Sequence, residues 1–426
     1  GDLAEPLLAR RAPAGGGRSG ADAERAEPDG PPCCGTPASA AVNLAATAMG
    51  TGMLTLPYAF ARCGPGRCLL LLLALSVTTD VTLALLVRMG HATGLRSIGA
   101  IMRLLFGRAG SAAFQVVMII VLFLALTAMQ RVVLDLLPMF LEELLGLAEG
   151  SLPPAAVSGP VNVGVLLASL SKSFHALRFT SGAALGCLAP FVLAILGKAL
   201  AALLGTAAAE RPAPEPAGLD GLLLAAPLLA SSLCCHFSIL DIDAEMQPRY
   251  RGSTFGVIHC VALVVLPATY ACVALAGVTL FGAGVAENVL VGFHGDRAMQ
   301  LARGVLSLTN ALRMPLIAVP LHRVLRELLG GGQAAKKAPA EQTPWLSMLA
   351  LLLLSLLVAC RLRVLTRVMG LLGGTGGVLS CYCLPGLMYL ALGQKGKAAS
   401  RAHTAASAGA VGVGALVAFS TALTWH

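Results

Sequence analysis

The chain alternates between long apolar segments and short polar connections. Eleven segments approach or exceed the roughly 20 residues that a helix needs to cross the hydrocarbon core of a bilayer. They occupy 36–61, 68–87, 110–138, 157–171, 179–205, 219–240, 254–282, 299–321, 344–360, 364–392 and 404–424. The pattern predicts an all-α membrane protein with eleven transmembrane helices, surrounded by the lipid bilayer.

The residues before the first apolar segment have a different composition. Residues 1–35 are rich in Gly, Pro, Ala, Arg and Glu and show no hydrophobic period. Such a segment lacks the apolar surface needed to fold. We therefore predict a disordered cytosolic tail over 1–35 and one membrane domain over 36–426.

The first apolar segment contains residues that disfavour a continuous helix. Gly50-Thr51-Gly52 lies in its middle and Pro57 follows, although no charged residue interrupts it. In lipid, a broken helix is tolerated only where protein or water surrounds the freed backbone groups. Those groups can hold a carboxylate or a cation, so the break predicts a binding site formed by Met49, Gly50, Thr51, Gly52 and Met53. Close helix packing through small residues is the alternative interpretation.

Composition agrees with the membrane class and excludes others. Hydrophobic residues make up 57% of the chain and charged residues only 12%, against about 25% charged in a soluble domain. No basic run is interleaved with aromatic residues, so we expect no nucleic-acid partner despite the net charge of +9. The twelve cysteines form no metal signature, and most are expected to pack as small hydrophobes, although Cys63 and Cys68 could pair. We expect neither a metal nor a cofactor.

The distribution of basic residues predicts the orientation. With a cytosolic N-terminus, 19 loop Lys and Arg residues lie on the cytosolic side and 9 on the other. Cytosolic loops of membrane proteins carry the excess of Lys and Arg. The bias predicts a cytosolic N-terminus and a C-terminus on the opposite side, although Arg361, Arg363 and Arg367 oppose it.

Six stretches resemble motifs of the amino acid/auxin permease family, and they occur in the family's order. The first contains Asn43, Gly50-Thr51-Gly52 and Leu56-Pro57-Tyr58-Ala59-Phe60. The others lie within 132–138, 170–181, 235–246, 277–290 and 369–386. Together they cover nearly the whole chain after the tail, and they are most similar to the sodium-coupled neutral amino acid transporters.

The resemblance implies a leucine-transporter-like fold, in which five helices repeat in inverted orientation and an eleventh is added. It also implies secondary active transport of amino acids, neutral ones in that branch, driven by sodium or protons. The substrate would lie between the first and sixth helices. We expect a monomer in the plasma membrane or a lysosomal or vacuolar membrane, and no enzymatic activity.

The sixth segment would supply the other half of the substrate site. Ser231, Ser232 and Cys235 are candidate substrate residues, and His236 follows them. Ordinary hydrogen bonding between helices is the alternative role for such side chains.

The coupling ion is less clearly indicated by the resemblance. In sodium-coupled relatives an Asn on the first helix and a Thr on the eighth help to bind sodium, and Asn43 matches the first. Counted back from Pro315, Ala311 and Arg313 stand where Thr is expected, and Thr309 is displaced by two positions. This departure favours protons, and sodium bound at Asn43 and Thr309 remains the alternative.

A proton-coupled carrier needs a titratable group within the membrane. Asp80 and His236 are the candidates, because neither has an oppositely charged neighbour in the sequence. A sensor of transporter fold that signals through its N-terminal tail is the alternative function.

The glycine-rich stretch Gly370–Gly377 superficially resembles a phosphate-binding loop. No Lys-Ser/Thr follows it, and it lies inside an apolar segment. We therefore predict that it serves close helix packing or a hinge.

Overall fold

The computed structural model describes residues 35–170, 180–205, 218–329, 345–395 and 401–424. Within these ranges the secondary structure is helical, with one isolated β-bridge between Gly35 and Met246. The predicted tail, apart from Gly35, lies outside the described residues. So do Lys172 and Arg178, which were counted as cytosolic, and most of the motif at 170–181.

Fifteen α-helices follow one another along the described chain. They are α1 (Pro37–Ala48), α2 (Leu56–Cys63), α3 (Pro65–Thr93), α4 (Ile98–Leu145), α5 (Pro154–Leu170), α6 (Thr180–Leu204), α7 (Leu219–Ser232), α8 (Ile239–Glu245), α9 (Thr254–Cys260), α10 (Leu266–Phe281), α11 (Arg297–Leu329), α12 (Trp345–Leu362), α13 (Leu365–Leu372), α14 (Leu384–Lys395) and α15 (Arg401–Thr424). Short 3₁₀ segments at Thr51–Thr55 and His236–Ser238 join α1 to α2 and α7 to α8. Two π-helical segments, Gly373–Gly377 and Leu379–Cys383, connect α13 to α14.

Nine helical segments in the described ranges are long and apolar enough to cross a membrane. The predicted first span does not qualify by length, because it is divided into α1 and α2. The predicted fourth span falls short as well, since α5 contains 17 residues. Both remain helical: α5 covers nearly all of the predicted 157–171, and the first span is interrupted where the sequence predicts a break.

Helix boundaries follow local signals in the sequence. Thr36 caps α1, and its side chain accepts a hydrogen bond from the backbone N–H of Ser39. Arg363 adopts φ = 58° in the tight turn between α12 and α13.

The third predicted span, 110–138, is shorter than the helix observed there, because α4 extends across a kink at Gly107.

Glycines allow several helices to approach closely. A Cβ atom at Gly277 would lie 2.5 Å from the ring of Pro57, and one at Gly304 would lie 2.6 Å from Phe140. The first contact joins α10 to α2 and the second joins α11 to α4. Such contacts through small residues are common between membrane helices, and they place the interrupted helices α1–α2 inside the bundle.

Candidate functional site

The first interrupted helix breaks at Met49 and Gly50. Met49 leaves the helical conformation, and its N–H still donates to the carbonyl of Ala45 over 2.7 Å. The chain resumes as the 3₁₀ segment Thr51–Thr55, in which the hydroxyl of Thr55 donates to the carbonyl of Gly52. The first N–H groups of any helical segment have no partner within it. The break therefore presents N–H groups from one helical end and carbonyls from the other.

The sixth segment is interrupted in a similar way. It leaves the α-helix after Ser232 and resumes at His236–Ser238. The hydroxyls of Ser231 and Ser232 both donate to the carbonyl of Leu228, over 2.7 and 2.9 Å. Each hydroxyl oxygen keeps a lone pair for a further hydrogen bond.

The two breaks lie directly against each other. A Cβ atom at Gly52 would lie 2.5 Å from the hydroxyl oxygen of Ser232 and 3.0 Å from its Cα. Tyr270 of α10 holds the second break in position, because its hydroxyl donates a hydrogen bond to the carbonyl of Ser232 over 2.6 Å. The structure thus brings together the predicted substrate residues of the first and sixth segments.

The remaining predicted substrate residues lie around this contact. Met53 and Cys235 are fully buried, and Met49 is nearly so. Thr51 is partly exposed, and its hydroxyl contacts the sulfur of Met369 on α13 at 3.6 Å. Three helical segments therefore meet at the first break.

A charged side chain from α11 reaches the end of α1. The guanidinium of Arg313 donates to the carbonyl of Ala46 over 3.3 Å. The last carbonyls of a helix lack partners within it and carry partial negative charge, so they attract a cation. A Cβ atom at Gly50 would lie 3.5 Å from the same guanidinium. The positive charge of Arg313 thus lies beside the first break.

The two residues predicted for sodium make only local hydrogen bonds among those described. The hydroxyl of Thr309 donates to the carbonyl of Val305, one turn earlier in α11. The carbonyl of Asn43 accepts from the hydroxyl of Thr47 in α1. Thr309 and Arg313 are four residues apart, so they lie on the same face of α11.

His236 is buried at the start of the second half of the sixth segment. Its Nε2 lies 2.7 Å from the hydroxyl of Thr82 on α3. That hydroxyl also lies 2.8 Å from the carbonyl of Thr78, an arrangement that favours the tautomer with the proton on Nε2. Nδ1 is buried and has no hydrogen-bond partner among the described residues. In that tautomer Nδ1 carries a lone pair that can accept a proton.

Asp80 has no oppositely charged neighbour in the sequence, as predicted, but it pairs with a residue from a distant helix. Its carboxylate lies 2.6 Å from Nδ1 of His259 on α9. The two residues are 179 positions apart, so no local pattern in the sequence indicates the pair. Asp80 is buried, whereas about half of the His259 side chain is exposed.

Two contributors to the site were missed by the sequence analysis. Tyr270 lies outside the six family-like stretches, and Met369 begins the last of them but was not predicted to line the site. Arg313 stands where the sodium-coupled relatives are expected to carry Thr, but its contact with Ala46 depends on the packing of α11 against α1.

Comparison with known proteins agrees with the resemblance found in the sequence. A family model described as "Transmembrane amino acid transporter protein" matches residues 34–424. The chain is 25% identical to the Arabidopsis thaliana protein "Amino acid transporter AVT6A" over 271 residues, which cover 60% of this chain and 58% of the relative. It is 24% identical to human "Solute carrier family 38 member 10" over 357 residues, covering 82% of this chain and 32% of the relative.

A third relative carries a more specific description. The Xenopus laevis "Putative sodium-coupled neutral amino acid transporter 10" is 25% identical over 187 residues, covering 42% of this chain and 18% of the relative. The chain therefore corresponds to only part of the length of these relatives. Since the family match nevertheless extends over almost all of this chain, the protein is a multi-pass membrane protein that belongs to the transmembrane amino acid transporter family, the amino acid/auxin permeases.

Proposed function

We propose that this protein is a secondary active transporter of amino acids that works by alternating access. The family supports amino acids as the substrate class. The observation that carries the proposal is the contact between the two interrupted segments, where Gly52 lies against Ser232. Interrupted helices leave backbone groups unpaired at membrane depth, where a substrate can bind them.

The site offers partners for both ends of an amino acid. The N–H groups of Thr51 and Gly52 begin a 3₁₀ segment, and we propose that they hold the substrate carboxylate. The hydroxyl groups of Ser231 and Ser232 both donate to the carbonyl of Leu228. The lone pairs on their oxygens can therefore accept hydrogen bonds from the ammonium group. The proposed substrate residues carry no charge, which favours neutral amino acids.

We propose eleven spans, with the first and fourth added to the nine long apolar segments. The first and sixth segments are five apart, and each breaks near its middle and resumes as a 3₁₀ turn. This correspondence supports an inverted repeat of five helices followed by α15. We also propose that residues 36–426 form one membrane domain that acts as a monomer.

We propose that protons drive transport. Arg313 places a fixed positive charge at the carbonyl end of α1, and that charge would repel sodium from the same carbonyls. His236 supplies an imidazole nitrogen with a free lone pair at the second break. Asp80 is the weaker candidate, because His259 already occupies its carboxylate. Sodium bound near Asn43 and Thr309 remains the alternative.

Uptake by the purified protein in liposomes tests both parts of this proposal. Amino acids are screened with sodium present, then with choline in its place, and finally across an inward proton gradient without sodium. We expect uptake of neutral amino acids to survive the replacement by choline and to rise with the proton gradient. Loss of uptake in choline, together with no response to the gradient, would show that proton coupling is wrong.

Two variants separate the candidate proton groups. We expect His236→Gln to lose the response to the proton gradient, because Gln can donate to Thr82 but cannot be protonated at neutral pH. Asp80→Asn is expected to keep the response. The opposite result would assign coupling to the Asp80–His259 pair.

The alternative function, a sensor, has one structural observation in its favour. Gly35, the last residue of the predicted tail, accepts a backbone hydrogen bond from Gln247 and donates one to Glu245. The tail is therefore connected to the end of α8. A change at the break between α7 and α8 could therefore reach the tail. A pull-down with the isolated tail, with and without amino acids supplied to the source cells, would reveal a cytosolic partner if this function is correct.

A further inference from the structure

Two thiols from distant parts of the chain meet beside the second break. Cys234 lies between α7 and the 3₁₀ turn at His236, and Cys381 lies in the π-helical segment Leu379–Cys383. Their sulfur atoms are 3.2 Å apart, although the residues are separated by 147 positions. Both are free thiols. Neither has a part in the proposed substrate or proton sites.

The positions of the two sulfurs suit covalent pairing. A disulfide needs an S–S distance of about 2.05 Å, so the sulfurs have to approach by only about 1 Å. Cys234 stands in irregular backbone, where small adjustments do not break an α-helical ladder. Cys234 is also partly exposed, whereas Cys381 is buried, so Cys234 is the member of the pair that an oxidant would meet first.

We propose that Cys234 and Cys381 are an oxidation site, and that a reversible disulfide between them arrests transport. The oxidant is a peroxide. The sulfur of Cys234, as its thiolate, attacks one oxygen of hydrogen peroxide, breaks the O–O bond and forms a sulfenic acid, and the leaving hydroxide takes up the thiol proton as water. The sulfur of Cys381 then attacks the sulfenic sulfur, forms the S–S bond and releases a second water. Two thiols are oxidised and one peroxide is reduced to two waters.

A bond between Cys234 and Cys381 would join the irregular backbone between α7 and α8 to a helix that is packed tightly against its neighbours. A Cβ atom at Gly373 would lie 1.8 Å from the carbonyl of Pro227, and one at Gly374 would lie 1.7 Å from Thr421. The helix containing α13 and α14 therefore packs tightly against both α7 and α15. Alternating access moves one group of helices against another around the substrate site. A bond from Cys381 to Cys234 would tie the break between α7 and α8 to the segment between α13 and α14, and so restrain that movement.

A second pair of thiols provides an internal comparison. Cys63 and Cys68 are both fully buried, and their side chains are in hydrogen-bonding contact. They are only five positions apart, on either side of the turn between α2 and α3. A bond there would link neighbours in the chain and leave the second break unconstrained.

The test uses the full chain reconstituted in liposomes and treated with hydrogen peroxide. After alkylation of the remaining thiols, mass spectrometry of the digested protein is expected to find a peptide linking 234 to 381. We expect uptake to fall at least ten-fold and to return after treatment with dithiothreitol. The peptide measurement does not depend on transport, whereas the arrest rests on the proposed function.

Matched variants identify the responsible pair. A variant with Ser at the exposed Cys260, Cys272 and Cys360 is expected to keep the response to peroxide. Cys381→Ser is expected to transport in the presence of peroxide, and Cys381→Ala serves if the Ser variant does not fold. Cys68→Ser is expected to be inhibited like the unmodified protein.

Three results would overturn the inference. The first is the absence of a linked peptide at a peroxide dose that oxidises the exposed thiols. The second is a linked peptide with unchanged uptake. The third is inhibition of both Cys381 variants equal to that of the unmodified protein. If the reduced protein transports no amino acid at all, the proposed function fails. The linked peptide then still decides whether Cys234 and Cys381 pair.

Discussion

Gly52 stands at the contact between the two interrupted segments, so its missing side chain matters more than that of Gly50. A Cβ atom at Gly52 would lie 2.5 Å from the hydroxyl oxygen of Ser232, whereas one at Gly50 would meet only the guanidinium of Arg313, at 3.5 Å. A methyl group at Gly52 must push the two breaks apart. We expect Gly52→Ala to lower amino acid uptake at least ten-fold, and Gly50→Ala to lower it much less.

The measurement is uptake in liposomes, normalised to the amount of folded protein. Size-exclusion elution in detergent supplies that normalisation, because overpacking also destabilises proteins. Valine at either position is expected to abolish uptake, since its branched side chain restricts the backbone as well as filling space. Equal uptake by Gly52→Ala and the unmodified protein would contradict this account of the site.

Arg313 is the second residue whose role can be isolated. Its guanidinium donates to the carbonyl of Ala46, at the end of α1. A cation near the C-terminus of a helix typically contributes about 0.3–1 kcal/mol, and more when it is partly buried. We expect Arg313→Gln to reduce uptake about ten-fold or more, and Arg313→Lys to recover part of the loss. If Arg313→Gln transports normally, the charge has no role beside the break.

At the scale of helices, the glycine-rich stretch shows how one element contacts several others. Gly373 faces the backbone of α7 at Pro227, and Gly374 faces Thr421 of α15. A Cβ atom at Gly370 would have nothing within 4 Å. The structure therefore agrees with the prediction of close packing. There is no room for a side chain at positions 373 and 374, whereas position 370 has room for one.

We expect Gly373→Ala to destabilise the protein and Gly370→Ala to leave it unchanged. The added methyl group clashes with backbone, which cannot move aside as a flexible side chain can, and such overpacking costs about 1–3 kcal/mol. Thermal unfolding in detergent, followed by loss of the monodisperse peak, measures the difference. An equal midpoint for the two variants would show that α13 can shift away from α7 without cost.

The two breaks differ in how far the sequence reveals them. The first could be predicted, because Gly50, Gly52 and Pro57 are locally unfavourable in a helix. The second contains neither glycine nor proline between Ser231 and Ser238, and only the resemblance to a family indicated it. Its geometry depends on the hydrogen bond from Tyr270, which comes from another helix. Interactions of that kind leave no local signal.

At the scale of the whole molecule, hydrophobic length predicted where the helices lie but not how their side chains pair. The predicted spans 344–360 and 364–392 agree closely with α12 and with the helix from α13 to α14. The partner of Asp80 could not be predicted, because His259 comes from a distant helix. Helix positions follow from local apolar length. Pairs such as Asp80 and His259 depend on tertiary packing.

The last prediction concerns orientation, and it depends on the ends of the bundle. Arg88 of α3 lies over the ring of Phe255 and hydrogen-bonds to His403, so basic and aromatic side chains from three helices meet at one end. A pocket of about 240 Å³ is lined by Glu142, Glu143, Glu149, His294 and Arg303. Lys198 and Arg303 are two of the nine basic residues predicted on the non-cytosolic side. Lys198 pairs with Asp296, and Arg303 pairs with Glu143.

The charge bias of 19 to 9 predicts a cytosolic N-terminus and a C-terminus on the other side. Epitope tags at both termini, read by antibody before and after selective permeabilisation, measure the orientation. A third tag between the exposed residues Ala148 and Glu149 is expected to behave like the C-terminal one. An odd number of spans requires the two termini to lie on opposite sides. Termini on the same side would mean an even number, and the first and fourth segments, which fall short in length, would then be the ones to re-examine.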